Sequence, residues 1–161
     1  MKNLTNRLVL LVGLLALIPL SACGGSDSST GPGGQRNAPS SITVLADSSL
    51  RAVFTQLGKQ FENQNAGSTV NFQFGASADL ANQAAAGDPG DVLATTDQAS
   101  MVSAQSVQLT SPSVFASKGG QQCQIATLRQ SKNTSLSQAW INLVLGPAGQ
   151  KALHTAGFGS P

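Results

Sequence analysis

From Ser41 onward the apolar positions switch between two rhythms. "SITVLA" (Ser41–Ala46) is apolar and β-branched, bounded by Pro39 and Asp47, and reads as a strand. Behind it Leu50, Val53, Phe54, Leu57 and Phe61 fall on one face of a helix, which "ENQNAGS" (Glu62–Ser68) ends. Thr69–Phe74 alternates, with Val70, Phe72 and Phe74 on a shared face, and predicts a second strand. "ADLANQAAAG" then offers strong helix formers and closes on Gly87, the expected residue just past a helix end. After the turn "DPG", Asp91–Thr95 predicts a third strand, and "TDQASM" another helix start capped by Thr96 or Asp97. Val102–Cys123 has a weak pattern, with "SVFAS" as a short strand and "SKGGQQC" as a turn-rich junction. "QIATLRQ" reads as a further strand. Leu136, Ala139, Trp140, Leu143 and Val144 then form a helical stripe; Gly146 stops it, and Pro147 suits the first turn of a last helix.

One unit therefore occurs three times: a strand runs into small hydroxyl residues, and a helix opens there. The three loops begin at Ser48-Ser49, Ser77 and Thr95-Thr96. Strands alternating with helices predict an α/β fold with an open, mainly parallel sheet and flanking helices. Ligands of such sheets gather at the carboxyl ends of the strands, beside helix N-termini. Those N-termini carry unpaired N–H groups, and Ser or Thr hydroxyls add donors without charge, which together suit a small oxyanion. The same residues are also ordinary helix caps, and the spacing alone does not separate the two roles.

The N-terminal part differs in composition. Lys2 and Arg7 precede an apolar run, Leu8–Leu20, too short to span a bilayer as a helix, and small residues follow. Residues 1–22 are expected to be a secretory signal peptide. "LSAC" followed by Gly24 resembles a bacterial lipobox, which implies that Cys23 is lipidated. Residues 23–41 are rich in Gly, Ser and Pro and read as a flexible tether. Residues 42–161 are enough for a single core. The chain has nine basic and seven acidic residues, and without Lys2 and Arg7 the two balance at seven. With no basic stripe, no Tyr and one Trp, nothing points to nucleic acid. Cys123 is the only other cysteine, and two cysteines so far apart make no zinc or redox motif.

"ITVLADSSLRAVFTQLGKQFE", "VNFQFGASADLANQAAAGDPGDVLATTDQASM" and "SLSQAWINLVLGPAGQKALHTAGFGSP", in that order, resemble the molybdate-binding proteins of bacterial ABC transporters. The resemblance implies the type II periplasmic-binding-protein fold and an extracytoplasmic, membrane-tethered receptor for molybdate or tungstate that serves a transporter permease. It implies no enzyme activity, no cofactor, no cation-binding metal site and a monomer. Carried over by position, the oxyanion donors fall on Ser49, Ser77 and the backbone N–H of Thr96. Asp47 stands where a small Ala is common in the family. A carboxylate facing an oxyanion repels it, so Asp47 must point away or affinity must suffer. After "SPSVFASK" the family continues into most of a second lobe, including a tyrosine contact. Here a few residues near 118–125 bridge the gap. What remains is essentially lobe one, so weakened oxyanion binding is expected. The alternative is a non-binding, lipid-anchored surface or interaction module derived from the family.

Other residues carry blander expectations. His154, the only histidine, suits the C-terminal end of the last helix. Asp88 and Asp91 fit a turn and a strand entry better than an acid–base pair. Ser49 and Ser77 lack a patterned base and are poor nucleophile candidates. Trp140 is expected in the core, and "NTS" at Asn133 matches a glycosylation sequon of little meaning behind a lipobox.

Overall fold

The computed structural model describes residues 40–161. The expected signal peptide, Cys23 and residues 24–39 of the tether lie outside the described residues. Strand β1 (Ser40–Asp47) leads through one turn of 3-10 helix (Ser48–Leu50) into helix α1 (Arg51–Gln64) and strand β2 (Ser68–Gly75). Helix α2 (Ser77–Ala86), strand β3 (Val92–Thr95) and helix α3 (Gln98–Ser103) follow. A 3-10 turn (Gln105–Val107) precedes strands β4 (Ser113–Lys118) and β5 (Gln121–Thr127), and helices α4 (Thr134–Leu145) and α5 (Pro147–Thr155) end the chain. Among the described residues no helix is long and apolar enough to cross a membrane.

The five strands form one sheet in the order β2-β1-β3-β5-β4. β1 pairs in parallel with β2 and β3, while β5 runs antiparallel to both β3 and β4. Four strands therefore share a direction and β5 opposes them. The mainly parallel sheet is present, with β5 as its reversed member.

Strand alternation splits the core into two layers. Val44, Ala46, Val92, Ala94 and Ile125 face α1, α4 and α5, where Phe54, Phe61 and Trp140 pack. Leu45, Leu93 and Ala126 face α2 and α3, against Leu80, Ala84 and Met101. Strands buried on both faces explain why "VLA" in β1 and "VLAT" in β3 are unbroken apolar runs rather than alternating ones. Trp140 is fully buried, edge-on to Phe54, Phe61 and Phe72. On α4 the fully buried face is Ser137, Trp140, Ile141 and Val144; Leu136, Ala139 and Leu143 of the expected stripe pack at its margin.

The turn-rich junction is a tight hairpin. Lys118 pairs with Gln121, and Gly119 and Gly120 both take positive φ (57° and 79°). Two-residue hairpin loops of this hand match the twist of their strands and favour glycine. "QIATLRQ" thus enters the sheet three residues earlier than expected and leaves it at Thr127. Pro147 occupies the start of α5, as expected of a residue with no N–H to lose there.

Candidate functional site

From β1 the chain passes through α1 to β2 on one side, then back through α2 to β3 on the other side of β1, with α1 on one face of the sheet and α2 on the other. The crevice between the carboxyl ends of β1 and β3 is therefore the switch point of the sheet. The chain places Asp47 there at the end of β1, Ser77 at the start of α2 and Thr96 directly after β3.

None of the three hydroxyl loops uses its Ser or Thr as the helix cap. The turn after β1 is capped by Asp47, whose Oδ1 accepts the backbone N–H of Ser49 at 2.9 Å. This is an Asx turn, the local bond that Asp offers two residues ahead. α2 follows Ala76, which has no side-chain cap bond, so Ser77 sits inside the first turn with its hydroxyl free to reach outward. α3 is capped by Asp97, which accepts the N–H and hydroxyl of Ser100. Of the two expected caps, Asp97 serves and Thr96 does not.

Ser77 and Thr96 come together. The Thr96 N–H donates to Ser77 Oγ at 3.1 Å, and the two hydroxyl oxygens lie 3.5 Å apart. Ser77 is buried, with 5% of its surface exposed. Its Oγ–H donates to Asp47 Oδ2 at 2.7 Å, and its backbone N–H reaches the same oxygen at 3.2 Å. Ser49 is exposed and joins through its backbone N–H.

Asp47 thus does not point away. Its carboxylate lies among the donors expected for a ligand, with Oδ1 on Ser49 and Oδ2 on Ser77. Burial works to raise the pKa of this carboxyl. The N–H of Ser49 and the hydroxyls of Ser77, Ser49 and Thr96 outweigh burial and hold it below the usual 3.8. Asp47 is therefore ionised at neutral pH, an anion already held at the carboxyl edge of the sheet. Of the two expectations for Asp47, the structure excludes the one in which it points away from Ser49 and Ser77. The signal for this was present in "ADSS", an Asx-turn sequence at a strand end.

Asp91 has a structural role. Its carboxylate accepts the Thr43 N–H at 2.7 Å, the Ser131 hydroxyl at 2.6 Å and the Lys132 N–H at 3.2 Å, joining β1 to the loop before α4. His154 lies in the last turn of α5, 3.3 Å from the Ser160 hydroxyl. Asn133 caps α4 by accepting the Leu136 N–H. Cys123 is a buried free thiol in β5, its pKa pushed up to about 11, mainly by burial. Among the described residues no cluster of His, Cys, Asp or Glu is arranged to hold a metal ion.

Residues 42–120 match the family of bacterial extracellular solute-binding proteins. The matched stretch contains all three loops and ends on the second glycine of the hairpin turn. Over that stretch, just under half of its length, the chain is similar to that family. The molybdate-binding protein ModA of Mycobacterium tuberculosis is 41% identical over 91 residues, which are 56% of this chain and 35% of that protein. ModA of Mycobacterium bovis matches to the same extent, so this chain spans about a third of the length of these relatives. Among solved structures, the substrate-binding domain of a molybdenum ABC transporter from Clostridium difficile superposes with a TM-score of 0.69 at 9% identity, covering 76% of this chain and 99% of that one. The periplasmic molybdate-binding protein of Azotobacter vinelandii gives 0.67 at 12% identity, covering 74% and 99%. The sulfate-binding protein SubI of Mycobacterium tuberculosis gives 0.61 at 11%, covering 74% and 86%. At such identities the likeness establishes the fold. The sheet and its helices form a lobe of the type II periplasmic-binding-protein kind.

Proposed function

We propose that this chain is the first lobe of an extracytoplasmic solute receptor for molybdate or tungstate in ABC-type uptake, with binding weakened by the reduction of its second lobe. Lipidated Cys23 would hold it at the membrane on a Gly/Ser/Pro tether, within reach of a permease. The observation that carries this reading is the convergence of Ser49, Ser77 and Thr96 around an anionic group at the switch point of the sheet. Neutral donors already stabilise a negative charge there, and that is the task an oxyanion receptor sets its loops. The Gly119-Gly120 hairpin stands where, by the resemblance, the chain would pass into the second lobe. Solute receptors of this kind close two lobes around their ligand. On one lobe the ligand stays partly in water, where each hydrogen bond contributes only about 0.5–1.5 kcal/mol net.

A second reading has one observation in its favour. The donors are already taken by Asp47, as they would be in a family member that has become a non-binding, lipid-anchored module. Calorimetric titration of the purified chain with molybdate, tungstate and sulfate separates the two. Saturable binding weaker than micromolar supports the receptor lobe. A submicromolar Kd would overturn the weakening, and no response to millimolar oxyanion would favour the non-binding module.

A further inference from the structure

We infer that Asp47 is a tethered internal anion that competes with free oxyanion for the donors of this lobe, so that the identity of residue 47 sets the lobe's affinity. This rests on the oxyanion reading proposed above. Three observations carry it. First, the Asp47 carboxylate takes the Ser49 N–H, the Ser77 N–H and the Ser77 hydroxyl, which are donors from two different loops. Second, the chain of donation is closed: Thr96 N–H gives to Ser77 Oγ, and Ser77 Oγ–H gives to Asp47. An incoming oxyanion finds the Ser49 N–H, the Thr96 N–H and both Ser77 donors already spent. Third, the carboxylate reaches the donors from the end of β1, fixed through the Asx turn. An anion covalently attached beside its donors acts at a high effective concentration and loses little freedom on binding. A free oxyanion must displace it and then share the crevice with its charge.

Removing the carboxylate then exposes the donors. Asp47→Ala frees Ser49 N–H and both Ser77 donors while leaving the strand alanine-like at that position. Asp47→Asn keeps a neutral acceptor for the Ser49 N–H but replaces the oxygen that accepts from Ser77 with a donating amide NH2, and it serves if the alanine variant is unstable.

The test is a titration of the full chain and of both variants with sodium molybdate at neutral pH, followed by the amide resonances of Ser49, Ser77 and Thr96. Thermal melts run alongside confirm that each variant is folded. Asp47→Ala is expected to bind at least tenfold more tightly than the wild type, with Asp47→Asn between them and the shifts confined to the three loops. Equal affinity of wild type and folded variants overturns the competition and leaves the oxyanion reading standing. Failure of all three folded proteins to respond to molybdate or tungstate overturns the oxyanion reading, and the inference with it.

Discussion

Ser77 is the residue on which the three loops depend. Its hydroxyl is at once the acceptor for Thr96 N–H and a donor to Asp47. Ser77→Ala leaves a partly buried N–H and a carboxylate each short of a partner, and an unsatisfied buried polar group costs about 1–3 kcal/mol. Chemical denaturation should show a loss of about 2 kcal/mol for Ser77→Ala, against little change for Ser49→Ala, whose contact runs chiefly through the backbone. Asp47 adds a pH signature. Its folded pKa lies below the unfolded value, so its stabilisation is fully present above about pH 4 and is lost as pH falls through the folded value. The melting temperature of the wild type minus that of Asp47→Asn should therefore be constant from pH 7 to about pH 5 and shrink below about pH 4. Ser49, Ser77 and Thr96 were legible in the sequence as hydroxyl residues at strand–helix junctions. Their mutual arrangement was not, because it is made by side chains meeting between β1, α2 and β3, and no local pattern encodes which way a carboxylate turns.

At the scale of elements, period and punctuation located the early strands and helices well, because each is buried against the sheet on a face its own sequence defines. The pattern weakens after Met101, where α3 is short, β5 reverses direction and β4 is an edge strand whose other side meets only an isolated bridge to Gly159. Antiparallel pairing through a two-residue loop is a non-local decision announced only by "GG". The hairpin makes that decision testable. L-residues with a side chain resist the left-handed region by about 1–2 kcal/mol each, so Gly119→Ala/Gly120→Ala should destabilise the lobe measurably in urea. Gly119→Asn should be tolerated, since Asn enters that region more readily.

For the molecule as a whole, β5, α4 and α5 complete the lobe that β1 to β3 begin. Trp140 of α4 packs against Phe54 and Phe61 of α1 and Phe72 of β2, so the C-terminal part supplies the centre of the core that the N-terminal part surrounds. Trp140→Ala should cost about 3–5 kcal/mol. Trp140→Phe should cost less, because it also removes a buried Nε1–H that has no hydrogen-bond partner; circular dichroism melts of the two variants check the order. That closed core is why a chain spanning about a third of its curated relatives' length still forms a complete sheet with helices on both faces. The inference that Asp47 competes for the lobe's donors rests on its carboxylate being seated among them. The most direct measurement is a pH titration of the wild type by amide NMR, without added ligand. Resonances of Ser49 and Ser77 should move together with a single carboxyl whose midpoint lies below the usual aspartate value. Amides that stay still, or a midpoint at or above that value, would contradict an Asp47 carboxylate seated among these donors.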